Sequence, residues 1–405
     1  MPAPAPPPGS PPITAPRLQT PACDGIHALV PRDQMSPAAR KRRDTYALTP
    51  DAPLLRQEFG FMEGTLEAWK KQGMPENVAR SDLFLLEPGG DFGLGRLGWC
   101  EAAFAPAFEV KIVEDRGATE VEQDAAGRLV LYFKGRRQGF MPEYLTHPVQ
   151  DRRTWEDNVR WRLNPATEAR FAGLDQRMVQ AKAAAARGQM ITQGLIGGYM
   201  YLRSLMGPEE LLYKFHDDPD LIQACMQAWF ELADAIIARH QQHITLDEIF
   251  FAEDICYNHG PLISPDMMRR FLIPYYQQLL TNLRRRQLDR TRHLYVQIDT
   301  DGDCRPTIPV YMKDIALDVM SPFEVAAGCD VVEIGKEYPN LVLRGGIDKR
   351  VLVQGKEAID RMLEAIIPPM RRRGGYIPMH DHSVPAETPY ENYLYYRQRC
   401  VELGG

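Results

Sequence analysis

At 405 residues, 44% of them hydrophobic and 25% charged, the chain has the make-up of an ordinary globular protein and ample material for a core. Its length suits two or three average domains or one elaborated β/α barrel. A net charge of -6 speaks against a general nucleic-acid binder. The seven cysteines are scattered, without a CxxC or any paired spacing, which predicts a reduced, cytoplasmic protein with no disulfide framework. No apolar run approaches the ~20 residues that cross a bilayer, and the N-terminus has neither a basic nor an apolar leader region. Neither nucleic acid nor a membrane is an expected partner.

Residues 1–45 read as a disordered tail. Met1-Pro-Ala-Pro-Ala-Pro-Pro-Pro-Gly-Ser-Pro-Pro12 has too little apolar bulk to offset its ordering entropy. The basic run Ala39-Arg-Lys-Arg-Arg43 is expected to be solvated, with contact to phosphate or an acidic partner as the alternative. Residues 46–405 are expected to form one domain. Its first part, about 50–100, looks helical and aromatic, with Glu58-Phe-Gly-Phe61 and Leu66-Glu-Ala-Trp69. Residues 104–140 then change period: Phe108–Glu114 and Arg128–Lys134 alternate apolar and polar around the acidic Glu122–Gly127. This predicts an antiparallel hairpin insertion. Asp151-Arg-Arg-Thr-Trp-Glu156 opens a helix with Thr154 as its cap.

After about 185 the rhythm becomes strand, loop, helix. Met190–Gly198 is a strand running into glycines, and Pro208–Phe215 and Asp218–Arg239 are amphipathic helices. Ser264-Pro265 supplies a cap and a first-turn proline to the next helix. Alternation without hairpins predicts a mainly parallel sheet closed as a (β/α)8 TIM barrel.

The chemistry sits at the ends of the predicted strands. Glu248–Asp254 ends in Glu253 and Asp254; Leu294–Gly302 ends in Asp299 and Asp301; Leu341–Asp348 ends in Gly345, Gly346 and Asp348; the strand after Gly374 ends in His380, Asp381 and His382. Packing asks for no ionisable groups there, whereas the C-terminal edge of a parallel sheet is where such folds keep their active sites. Asp299 and Asp301 stand at period two and share a face, as a general acid/base pair, a pair of metal ligands, an anchor for basic groups, or an Asp-rich turn. His380 and His382 have the same spacing and extend a mixed nitrogen and oxygen metal site, with zinc or another divalent ion, or hold neighbouring acids by hydrogen bonds. Cys256 and Cys304 lie just beyond two strand ends and could supply thiolate, although a lone Cys is more often a small buried hydrophobe. The Gly345-Gly346 pair offers backbone amides to a carboxylate or phosphate, or eases a tight turn. Arg344 and Asp348 flank it.

These segments resemble the uroporphyrinogen decarboxylase superfamily, which includes corrinoid-linked methyltransferases. The resemblance rests on Glu253-Asp-Ile-Cys-Tyr-Asn-His-Gly-Pro-Leu-Ile-Ser-Pro265, Asp301-Gly-Asp303, Gly345-Gly-Ile-Asp-Lys-Arg-Val-Leu352, Gly374-Gly-Tyr-Ile-Pro378 and Pro385–Tyr396. It is strongest over about 185–400. It implies the barrel and an enzyme. The porphyrinogen decarboxylases carry an Arg-Gln-Ala-Gly-Arg-Tyr segment that grips substrate carboxylates; here Arg56-Gln-Glu-Phe-Gly-Phe61 keeps Arg-Gln and lacks the second Arg. Where many of the methyltransferases bind zinc through His-x-Cys and a later Cys, this chain has Asp299, Asp301 and His382. The expectation is therefore a methyltransferase-like enzyme that demethylates a small methoxylated or methylated compound toward a corrinoid or folate acceptor. Asp299, Asp301 and His382 would polarise the leaving atom, directly or through a metal, with Glu253 and His380 as proton donors. Asp254, Arg56, Arg344, Gly345, Gly346 and Asp348 would bind substrate. Decarboxylation of uroporphyrinogen or another acidic substrate is the alternative, and a non-catalytic barrel binding protein the second. A corrinoid protein and a second copy of the chain are candidate partners.

Overall fold

The structure is a computed structural model that describes residues 28–135 and 142–405. Its body is a parallel sheet wrapped by helices. In chain order the strands are β1 (Asp91–Leu97), the meander β2 (Lys111–Asp115), β3 (Thr119–Gln123), β4 (Leu129–Phe133) and β5 (Glu143–Thr146), then β6 (Met190–Ile196) and β7 (Glu248–Ala252). There follow the two-residue pair β8 (Cys256–Tyr257) and β9 (Gly260–Pro261), then β10 (Tyr295–Asp299), β11 (Val319–Ser321), β12 (Val342–Arg344) and β13 (Tyr376–Ile377). Seven of these form the main sheet in the order β1-β6-β7-β10-β11-β12-β13, all parallel.

Period two explains why the strands form and what they present. On β7 and β10 the outward residues Ile249, Phe251, Val296 and Ile298 are fully buried beneath helices. Each such side chain contributes about 1.5–3 kcal/mol on leaving water. The alternate residues Phe250, Ala252, Gln297 and Asp299 line an interior cavity instead. Register carries this alternation across the sheet, with Asp299 opposite Ala252 on one side and Ser321 on the other. No pairing joins β13 to β1 among the described residues. Beside β13 runs an extended segment, 54–61, tied by a parallel bridge from Phe61 to Val384. A second cavity opens between Arg56–Glu58 of this segment and Asp91–Arg96 of β1.

Several elements differ from expectation. The proposed tail ends too late: Ser36 caps a helix, Pro37–Tyr46, through the Ala39 amide, while residues 1–27 lie outside the described residues. The basic run is not a solvated face. Arg42 is buried against Asp91 and Glu248, and Arg43 pairs with Asp247. Charge matching across about 200 residues of chain is invisible to local composition. The hairpin insertion is a four-stranded meander in which the two alternating segments both pair with β3 and not with each other. The first strand, β1, hides in a stretch expected to be helical, because Gly93 and Gly95 dilute its β character. At 151 the cap is Asp151, and Thr154 is its reciprocal partner in a capping box. After β12, turns and a short 3-10 helix, Leu352–Gln354, lead to the helix Lys356–Arg373. Helix Pro219–Gln241 is, by length and composition, apolar enough to cross a membrane, contrary to the reading of the sequence. Leu221, Ile222, Met226, Trp229, Ile236 and Ile237 of that helix lie in the core.

Candidate active site

The cavity at the C-terminal edge of the sheet has a volume of about 460 Å³, within the range of small-molecule sites. Its acids are Asp254 after β7, Asp299 at the end of β10, Asp301 just beyond it, and Glu58 from the 54–61 segment. Asp254 (φ 41°) is turned into the cavity by a left-handed backbone and held by Arg203 at 2.6 Å. Asp299 accepts a short hydrogen bond from the Ser321 hydroxyl. Burial pushes the Asp299 carboxyl up to about 6, outweighing that bond, with the neighbouring Asp301 charge adding to the rise. Asp254 is raised likewise, by burial first, against the pull of Arg203. His382 Nε2 lies 3.4 Å from Asp301 Oδ2. This partner raises the imidazole above its ordinary value although burial opposes it.

The opposite part of the wall is aromatic and cationic. Trp99 stacks on Phe250 with centroids 5.6 Å apart and an 8° interplanar angle, and the Arg96 guanidinium lies 4.0 Å over the Trp99 ring. Phe59 stands beside His382 at 5.2 Å. Arg344 donates to Gln297 at 2.7 Å and to Gln57 at 3.1 Å.

Of the residues singled out in the sequence, Asp254, Asp299, Asp301, His382 and Arg344 line this cavity. The others do other work. Glu253 is fully buried beneath the helix Gly198–Met206, accepting from the Tyr199 amide at 3.1 Å and from the Tyr276 hydroxyl. It braces a helix N-terminus, and burial lifts it to about 7. His380 is enclosed, with Nδ1 2.9 Å from Glu58 Oε2. Burial raises the Glu58 carboxyl, but His380 and Arg397 prevail and hold it below the usual range. Asp381 accepts from the Val325 and Lys349 amides and fastens two loops. The Gly345 and Gly346 amides already donate to Ile377 and Pro322 carbonyls and form no anion cradle. Gly345 is needed because its φ is 114° and a Cβ would strike the Pro322 carbonyl. Asp348 pairs with Arg350 at 2.8 Å outside the cavity. Arg56 pairs with Glu87 at 3.2 Å on the second cavity.

The metal expectation meets a geometric obstacle. Asp299 is engaged by Ser321 and Asp301 by His382, and among the described residues no group of three His, Cys, Asp or Glu side chains converges as a metal-binding set. This arrangement does not fit a divalent ion, so no step below passes through one. Reading the strand ends alone missed Glu58, Phe59, Arg96, Trp99, Gln297 and Ser321, all of which line the cavity. Gln297 alone carried a signal, a buried strand's polar residue two before Asp299.

A parallel βα fold with a polar cavity at the C-terminal ends of its strands defines a barrel-type enzyme scaffold. The uroporphyrinogen decarboxylase (URO-D) family model matches residues 176–402, more than half of the chain, and the protein belongs to that family. Among solved structures it is similar to a methyltransferase from Methanosarcina mazei, at a TM-score of 0.54 and 17% identity, covering 89% of this chain and 98% of that one. At that identity the likeness speaks for the fold. A putative vitamin-B12 independent methionine synthase from Listeria monocytogenes aligns at a TM-score of 0.36 and 10% identity, over 87% of this chain and 97% of that one. No curated protein matches the sequence.

Proposed function

We propose that this URO-D-family protein is an enzyme that removes a methyl group from a small methoxylated or methylated compound and passes it to a corrinoid or folate acceptor. The observation that carries the reading is the pairing of a cationic-prone imidazole, His382, with Asp301 in the cavity that holds Asp299. When a methyl–oxygen bond breaks, the electron pair stays on oxygen, and a neutral product needs a proton. His382, raised by Asp301, is the donor facing the cavity. This role moves to it from Glu253 and His380, which are enclosed elsewhere. Asp299, raised to about 6, is the second carboxyl that can donate or share a proton at the same oxygen. The acceptor, once recruited, would supply the nucleophile that takes the methyl group. The description of the M. mazei neighbour as a methyltransferase is in keeping with this reading.

Decarboxylation of a porphyrinogen would draw on the same acids. It is less well served, because among the described residues the cavity offers Arg96 and Arg344, with the Asp254-bound Arg203 nearby, to a substrate bearing many carboxylates. The test is incubation of the purified protein with a panel of methoxylated and methylated compounds and reduced cobalamin, beside uroporphyrinogen in a pigment assay. Methylcobalamin formation that is lost in Asp301→Ala supports the proposal. Porphyrinogen turnover without methyl transfer overturns it.

A further inference from the structure

Most of the arginines around the two cavities are matched to acids. Arg42 meets Asp91 at 3.4 Å and Glu248 at 3.5 Å, Arg56 meets Glu87 at 3.2 Å, and Arg203 meets Asp254 at 2.6 Å. Two are not. Among the described residues neither Arg96 nor Arg344 has a carboxylate partner, and both line both cavities, together with Glu58 and Phe250. Glu58 is already engaged by His380, Arg397 and the Tyr393 hydroxyl. The Arg344 fork is held by two neutral amides, Gln297 and Gln57, and its Nε is buried with no partner. A guanidinium fixed by neutral groups keeps its whole charge, and withdrawing such a charge from water without an anion is expensive. The fixed fork is geometrically suited to bidentate recognition of a carboxylate. Next to it lies a flat wall, Trp99 on Phe250 with Arg96 above it, and Phe59 stands beside His382.

Resting on the methyl-transfer reading above, we infer that the substrate is a small, flat carboxylic acid whose carboxylate is held by Arg344 and Arg96 at the junction of the two cavities. Its ring lies against Trp99 and Phe250, and its methylated end reaches Asp299, Asp301 and His382. The acid supplies the paired carboxylate that neither arginine has among the described residues, the Asp299 charge acting on Arg344 without an ion pair. The same arginines select against neutral analogues, since a neutral group leaves the partly buried Arg344 fork with its two amide partners and no counter-charge.

Calorimetric binding to the full chain, with no methyl acceptor present, separates this from turnover. The probes are 4-methoxybenzoate and its neutral counterpart 4-methoxybenzamide. The acid is expected to bind about ten-fold or more tighter than the amide, as charge-assisted hydrogen bonds in a partly desolvated site allow. Arg344→Gln should weaken acid binding by a similar factor and leave the amide unchanged, with Arg344→Lys between them. Arg96→Gln, a change at a side chain exposed to the cavities, should weaken the acid less and guards against misfolding of the Arg344 variant. Equal affinity for acid and amide, no binding of the acid, or acid binding unmoved by both glutamine variants overturns the inference. Acid binding that depends on Arg344, with no methyl transfer in the cobalamin assay, retains the carboxylate site and sinks the methyl-transfer reading. Methyl transfer from neutral compounds that ignores Arg344→Gln does the reverse.

Discussion

The two edges of the sheet treat charge in opposite ways. At the N-terminal edge, Asp247 is 2% exposed, yet it meets Arg43 at 3.3 Å, meets Arg292 closely, and accepts the Ile191 amide at 2.8 Å. Asp318, two strands along, accepts the Val296 amide at 2.8 Å and lies 2.9 Å from His293. There both acids tie an element to its neighbour. At the C-terminal edge, Asp299 and Asp254 are raised by burial, His382 is raised by Asp301, and Arg344 is fixed by neutral amides. Matched charge holds a structure together, whereas charge left unmatched inside a cavity destabilises the fold and is kept where chemistry uses it. The difference teaches which acids to read as mortar and which as machinery.

The contrast can be broken or sharpened by substitution. The largest effect belongs to the upper edge: Asp301→Ala should lower turnover by about 10²–10⁴-fold, the range of a lost acid–base partner, with the melting temperature little changed. Initial rates beside a thermal melt check both halves. At the lower edge Asp247→Ala should cost about 3–5 kcal/mol of stability by removing the buried carboxylate that Arg43, Arg292 and the Ile191 amide share. Denaturant unfolding measures it, and turnover per folded molecule should stay at the wild-type level. Asp299→Asn should move stability the other way. The folded Asp299 keeps its proton up to about 6, against 3.8 as its ordinary value, so the native carboxyl is favoured at low pH and becomes a growing penalty as pH rises through that window. At pH 8 the Asn variant should therefore gain about 1–2 kcal/mol, and near pH 4 the gain should vanish. Unfolding curves at the two pH values decide this. Smallest is Asp348→Ala, outside the cavity and paired with the exposed Arg350. Stability should shift by no more than about 1 kcal/mol, and substrate turnover should hold.

Much of this was legible in the sequence. The strands at Met190, Glu248, Tyr295 and Val342 announced themselves by apolar runs ending in acids or glycines, and Asp254, Asp299, Asp301, His382 and Arg344 were found from those endings. What strand ends cannot reveal is which way the next residue turns. Glu253 and Asp254 are adjacent, yet one braces a helix and the other enters the cavity. His380 and His382 share a period, but His380 is drawn to Glu58 across more than 300 residues of chain. Arg96 sits in a glycine-diluted strand and Trp99 just after it, with no local signal of chemistry. Long-range partners decide these cases, and spacing along the chain carries no record of them.

The upper edge holds its ionisable groups away from their ordinary protonation, and a histidine-selective NMR titration of His382 reads this at a single side chain. In the wild-type protein the imidazole should titrate above 6.5, its ordinary value, because Asp301 favours the cation. In Asp301→Asn it should fall to or below that value, since burial and the Lys349 charge then act against the Glu324 charge alone. An ordinary His382 in the wild type, or one indifferent to the loss of the Asp301 charge, would contradict the account.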